Sequence, residues 1–194
     1  MLKDKLKPYK IILASGSPRR QQFFRDLDLD FEIRLKDIEE IYPENLQGVE
    51  ITNYLAELKA NAFDGEIAVN EILVTSDTIV WLNNKALGKP KDYDDAFAIL
   101  KSLSNVTHDV ITSVCFKTID KTTTIFDITK VTFTSLSDED IRYYLDNYKP
   151  FDKAGAYGIQ EWIGLVGITK IDGSYTNVVG LPTEKVHQYL RNYI

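Results

Sequence analysis

A chain of 194 residues, 44% hydrophobic and 27% charged, can enclose a sizeable core as one domain or as two lobes sharing one. No apolar run approaches the roughly 20 residues that span a bilayer, which excludes a membrane helix. The net charge of −6 argues against a surface for nucleic acid, though not against a small anionic ligand held by locally clustered cations. The opening Met1-Leu2-Lys3-Asp4-Lys5 has no secretory apolar segment. The single cysteine, Cys115, sits in the apolar run 110–116 and reads as a buried core residue. Both features lead to the expectation of a reducing cytoplasm.

In chain order, Lys10-Ile11-Ile12-Leu13 reads as a strand, followed by Ala14-Ser15-Gly16-Ser17-Pro18-Arg19-Arg20. Phe23, Phe24 and Leu27 form the buried stripe of a helix, with Ser17 as N-cap and Pro18 at its first position. Residues 31–35 suit a strand, and a polar loop containing Glu40 runs on to about Gly48. Ile51, Tyr54, Leu55, Leu58, Ala62 and Phe63 recur at helical spacing, so 50–63 is predicted to be an amphipathic helix with Lys59 at the edge of its stripe. The run 71–81 reads as a strand interrupted by one carboxylate, Asp77, and Asn83-Asn84 turns it into 85–91.

Asp92 can cap a helix whose core face is Ala96, Phe97, Ile99, Leu100 and Leu103. Strands are expected at 109–117 and 122–134. Ser137 and Asp140 have capping-box spacing for a helix ending before Pro150. After a glycine-containing loop at 154–160, strands near 162–171 and 174–180 are predicted around Asp172-Gly173, a hairpin signal, and a last helix covers 183–192. There is no repeat, low-complexity tract or linker. The pattern is α/β with hairpins, hence a mixed sheet.

Three stretches bear on chemistry. Arg19 and Arg20 lie in the first turn of a helix, where the macrodipole disfavours cations. Either they are a surface pair, or an anion joins them to Ser15, Ser17 and the helix amides. Asp77 is costly to bury unpaired. It is harmless if the strand ends there, and it becomes a candidate base if a metal or cation faces it. Gly88-Lys89-Pro90-Lys91 places two lysines on a rigid turn, as solvated residues or as phosphate partners. His108 and His187 form no metal pattern. No phosphate-binding glycine loop of the G-x-x-x-x-G-K-[ST] type, H-E-x-x-H or G-x-S-x-G elbow is present.

Taken together and in order, these stretches resemble the Maf family, the septum-formation-inhibitor-like nucleotide pyrophosphatases. The matching pieces include residues 13–20, Ser76-Asp77-Thr78-Ile79-Val80, Gly88-Lys89-Pro90-Lys91-Asp92, residues 153–160 and Val178-Val179-Gly180-Leu181-Pro182. The resemblance implies an α/β fold of the inosine-triphosphate-pyrophosphatase type: a long curved mixed β-sheet with flanking helices, and two lobes around a cleft. It covers 1–194 as a single domain.

It also implies a nucleoside triphosphate substrate, with Ser15, Arg19, Lys59 and Lys89 on the triphosphate. Glu40 and Asp77 would serve a divalent metal, Mg²⁺ or Mn²⁺, and the attacking water, with Asp77 the proton acceptor. Arg20, Thr78 and Gln160 match the branch acting on dTTP and UTP. Family members often dimerise, which extends the expectation to a homodimer. Ser76 and Glu161-Trp162 depart from the small residues common at their positions. Two other readings accompany this one, a nucleotide-sensing regulator of cell division and the same chemistry on modified nucleotides such as 7-methyl-GTP.

Overall fold

The computed structural model describes residues 2–193. Its elements are α1 (Leu2–Leu6), β1 (Lys10–Leu13), α2 (Pro18–Asp26), β2 (Phe31–Ile33), α3 (Val49–Asn61), β3 (Glu71–Leu82), β4 (Lys85–Leu87) and α4 (Tyr93–Leu103). There follow β5 (Thr107–Lys117), β6 (Thr122–Phe133), α5 (Asp138–Tyr148), a 3₁₀ turn (Ala154–Ala156), α6 (Trp162–Gly167), β7 (Ile168–Asp172), α7 (Tyr175–Val179) and α8 (Thr183–Tyr193). Seven strands form one sheet in the order β2-β1-β3-β5-β6-β7, with β4 on β3. β1 is parallel to β2 and β3, whereas β4 and β7 are antiparallel to β3 and β6. The expected mixed sheet with flanking helices is therefore present. No helix among the described residues is long and apolar enough to cross a membrane.

The chain packs as two compact units. Unit one holds the described residues through Asp77, Thr112–Asp127 and those from Gly180 onward; unit two holds Thr78–Ile111 and Ile128–Val179.

In unit one, side chains alternate between two cores, as the period of a strand requires. Ile11, Leu13, Ile72 and Val74 join Phe24, Leu29 and Leu190, while Ile12 and Leu73 join Ala56, Ala60 and Phe63. Both faces are covered, which is why β1 and the first half of β3 read as unbroken apolar runs. Each fully buried Leu or Ile contributes about 1.5–3 kcal/mol.

Unit two has its own core. Val110, Val131 and Phe133 pack with Leu100 and Leu103 of α4 and with Ile141, Tyr144 and Leu145 of α5. Both helices start as predicted. The Asp92 side chain accepts the Asp95 amide, and Ser137 and Asp140 form a complete capping box. Asn83 and Asn84 both adopt positive φ, 50° and 59°, and this two-residue turn brings Lys85 opposite Leu82. The residues after the turn are thereby a strand, β4, and not merely a connection.

Two predictions after Gln160 are corrected. Residues 162–167 form helix α6 instead of the start of a strand. Ile163 and Gly167, one turn apart, are its buried residues, so the operative period was helical. Residues 175–179 form helix α7, and Asp172-Gly173 makes no hairpin. Gly173 has φ +129°, and a Cβ there would lie 2.8 Å from Thr129 Oγ1, so the glycine serves close approach to β6. The Ser174 hydroxyl accepts the Asn177 amide as an N-cap would, and the buried Asn177 Nδ2 donates to Val110 O and Thr129 Oγ1. These polar ties outweigh the local β-propensity.

His108 is buried in unit two, where its Nε2 meets Tyr157 Oη at 2.8 Å and its ring stacks on Phe133. Burial lowers its pKa from 6.5 to about 4. The imidazole is neutral when folded, so the unfolded chain binds the proton more readily between those values. Stability is therefore unaffected above pH 6.5 and falls as the pH drops towards 4, by up to about 3 kcal/mol from this residue alone. A His108→Gln variant should show a shallower loss of thermal midpoint than the wild type over pH 6.5–4. Parallel losses in the two proteins would discount the histidine.

Candidate active site

The loop after β1 carries the first group of residues. Ser15 is buried and its Oγ accepts the Ser17 amide at 3.3 Å, while Gln21 Nε2 donates to Ser15 O at 3.1 Å. Ser17 stands at the N-cap of α2 as predicted, with Pro18 following, but its hydroxyl makes no bond to the helix. The Ser17 side chain thus gives the first turn of α2 no cap.

Arg20, in the first turn of α2, reaches two carbonyls. Its Nε donates to Gly180 O and its Nη1 to Ser76 O, each at 2.9 Å. Burial pulls the guanidinium down from its usual high pKa, opposed by the charge of Asp77. Arg19 lies near enough to add a repulsive charge.

β3 carries two buried carboxylates, each answered by a cation. Glu71, at its start, receives both Arg34 Nη atoms at 3.0 and 2.8 Å, a bidentate pair that lowers its pKa and holds the strand end. Asp77 Oδ1 accepts from Lys59 Nζ at 2.7 Å, and the same ammonium lies 3.0 Å from Glu40 Oε1. The strand does not end at Asp77, which is 6% exposed. The structure therefore joins three residues the sequence had singled out separately: Glu40 from the loop after β2, Lys59 from α3 and Asp77 from β3. An ammonium has three N–H groups, and these two acceptors leave one for a further oxygen.

In unit two, Thr78 follows Asp77 on β3, and Lys89 stands exposed on the turn after β4. That turn is tied to the glycine loop, because Gly155 N donates to Gly88 O at 3.0 Å. Gly155 has φ +69°, and a Cβ on it would lie 2.6 Å from Val80 Cγ2, so no other residue fits. Gln160, at the end of the loop, is exposed. Its neighbour Glu161 belongs to a network that was not foreseen. Tyr144 Oη donates to Glu161 Oε2 and accepts the Gly158 amide at 3.0 Å, and Lys153 Nζ lies 3.2 Å from Glu161 Oε1. The only sequence signal was Glu161 itself, a carboxylate directly after the glycine-containing loop.

Glu40 and Asp77 supply hard oxygen donors that already converge on one cation, the Lys59 ammonium. Among the described residues no group of three or more His, Cys, Asp or Glu could hold a metal. Two carboxylates completed by phosphate oxygens and water nevertheless fit the ordinary coordination of Mg²⁺.

The fold defines the class first. The chain is a mixed α/β protein whose architecture is shared with the Staphylococcus aureus Ham1 protein, with a TM-score of 0.56 at 15% identity over 95% of this chain and 100% of that one. At that identity the likeness is one of fold. The chain belongs to the Maf-like protein family, whose model matches residues 10–193. It is 74% identical over 193 residues to the dTTP/UTP pyrophosphatase of Flavobacterium psychrophilum, covering 100% of this chain and 99% of the relative. Identity is 72% over 194 residues to the dTTP/UTP pyrophosphatase of Flavobacterium johnsoniae, covering both chains fully, and 50% over 194 residues to that of Christiangramia forsetii.

Proposed function

We propose that this protein is a nucleoside triphosphate pyrophosphatase that hydrolyses dTTP and UTP to the nucleoside monophosphate and pyrophosphate. The observation that carries the chemistry is the convergence of Asp77 and Glu40 on Lys59. The choice of substrate is supported by the full-length likeness to relatives named for it.

Asp77 accepts a proton as a water oxygen attacks the α-phosphorus. The bond from that phosphorus to the bridging oxygen breaks, and pyrophosphate leaves with the electron pair. Lys59 fixes both carboxylates and gives its remaining N–H to a phosphate oxygen. Ser15, Arg19 and the N-terminal turn of α2 meet further oxygens, as a helix N-terminus favours, and Lys89 adds a point charge. Thr78 and Gln160 meet the base. A divalent ion held by Asp77 and Glu40 would neutralise phosphate charge and polarise the reacting phosphoryl group. The chain's own contribution is positioning and charge stabilisation.

Purified protein incubated with Mg²⁺ and single nucleotides is expected to release pyrophosphate from dTTP and UTP well ahead of ATP and GTP. Orthophosphate as the first product would move the attack to the γ-phosphorus and sink the proposal. Tight binding without turnover would leave the nucleotide-sensing reading. A preference for GTP or 7-methyl-GTP would overturn the substrate assignment while leaving the chemistry in place.

A further inference from the structure

We infer that Thr75 is a positioning residue, whose buried hydroxyl holds helix α3 at the setting that delivers the Lys59 ammonium to Asp77. This rests on the functional reading above, in which Thr75 itself touches no substrate.

In β3 the apolar run Ile72-Leu73-Val74 gives way to Thr75-Ser76 just before Asp77. Residues 73, 75 and 77 share one face of the strand by its period of two. That face is covered by α3: Leu73 packs with Ala56, Ala60 and Phe63, and Asp77 meets Lys59. Thr75 stands between the apolar contact and the ionic one, and it is fully buried. Valine has nearly the same shape and suits a buried strand, with no polar group to satisfy. The hydroxyl is therefore the part of this residue that packing leaves unexplained.

Thr75 Oγ1 donates to Ala56 O at 2.6 Å. A helical carbonyl points along the axis towards the amide four residues on, here that of Ala60, so the strand grips α3 on the turn that carries Lys59. Ala56 is itself fully buried, and its small side chain lets the strand reach the helix main chain. Apolar contact is non-directional, and alanine methyl groups interlock little along a helix axis. A hydroxyl on a carbonyl has a preferred distance and angle, which sets the height of the helix against the strand.

A second tie lies one turn back in α3. Ser113 Oγ of β5 is 2.7 Å from Thr52 Oγ1 and donates to Asn53 Oδ1 at 2.7 Å. Two ties to two strands restrain both the slide of the helix and its rotation. Thr75 makes the tie nearer the chemistry, two residues from Asp77. A lysine stem is flexible and can follow a small shift of its helix. One ammonium serving two carboxylates, at 2.7 Å from Asp77 and 3.0 Å from Glu40, has less freedom, since moving towards one leaves the other.

The test measures kcat on dTTP and UTP by pyrophosphate release in the wild type, Thr75→Val and Thr75→Ser, with thermal unfolding recorded for each. Thr75→Val keeps the volume and removes the donor. Ala56 O retains its bond within the helix, so no buried acceptor is orphaned and the fold is expected to persist. Thr75→Ser keeps the donor and gives up a buried methyl group, which lowers the thermal midpoint. The expected result is a fall in kcat of about tenfold for Thr75→Val on both nucleotides, the scale of a small misplacement of a reacting group. Thr75→Ser should stay within a few-fold of the wild type although it is the less well packed variant. A merely structural threonine would reverse that order or erase it, with activity following thermal stability. Wild-type kcat in Thr75→Val, or equal losses in both variants, overturns the inference. Should Thr75→Val fail to fold, Thr75→Cys replaces it, because its thiol is a weak donor of similar size, and the comparison with Thr75→Ser decides in the same way. A wild type that releases no pyrophosphate fails the functional reading itself, before any variant is compared.

Discussion

Asp77→Asn is expected to lower turnover on dTTP and UTP by about 10²–10⁴-fold, the usual cost of losing a general base. Asparagine keeps the shape of the side chain, and its Oδ1 can still accept from Lys59. It removes the charge and the ability to take a proton from water. The fold should survive. The Asp77 side chain is short, its Lys59 partner keeps Glu40 at 3.0 Å, and the apolar residues on both faces of β3 are untouched. A thermal midpoint within a few degrees of the wild type, together with lost pyrophosphate release, is the expected pairing. KM separates the roles further. If Asp77 acts only on the water, kcat falls and KM changes little, whereas losing its share of a divalent ion that meets the phosphates would raise KM as well. Near-wild-type turnover at saturating Mg²⁺ would remove Asp77 from the base role and make Glu40→Gln the next variant to examine.

The sequence announced Asp77 and the paired arginines by the same signal, a local rule broken without local compensation. It did not announce what compensates them. The partner of Asp77 lies 18 residues back, on the edge of the α3 stripe, and an acceptor of Arg20 lies 160 residues ahead at Gly180. Pairings of that separation depend on how elements stack, and single-residue spacing does not encode it. Helices α4 and α5 were legible because caps are local chemistry, as Asp92 and Ser137 with Asp140 demonstrate.

The region after Gln160 was not legible for the opposite reason. Trp162 to Gly167 is a short apolar run that fits a strand or a helix equally, and only its packing chose the helix. At Asp172-Gly173 the dipeptide has the composition of a hairpin, but the glycine answers a close approach to Thr129 that no turn rule anticipates. The Glu161 network shows a further limit. Its members, at 144, 153, 158 and 161, form no motif, and they become a unit only when α5 packs beside the loop.

Arg20→Lys is expected to be a costly change despite keeping the charge. The guanidinium presents Nε–H and Nη1–H at fixed separation, and it uses them on the carbonyls of Gly180 and Ser76. An ammonium on a flexible stem cannot reproduce that fork. Hydrogen bonds from a charged donor are worth about 1.5–3 kcal/mol each, so loss of one bond should lower unfolding stability by roughly that amount. The larger effect falls on the reaction. Ser76 O belongs to the peptide group whose nitrogen is that of Asp77, so Arg20 holds the plane from which the Asp77 side chain projects. Small misplacements of a reacting group can cost about 10²-fold in rate. Turnover is therefore expected to fall by roughly 10–100-fold on every nucleotide, with the ranking of dTTP and UTP over GTP preserved. The ranking is the informative measurement. Its preservation assigns Arg20 to holding Asp77 in place. A collapse of the dTTP preference with kcat on the poorer substrates retained would instead give Arg20 a direct contact with the base, the role implied by its match to the dTTP and UTP branch.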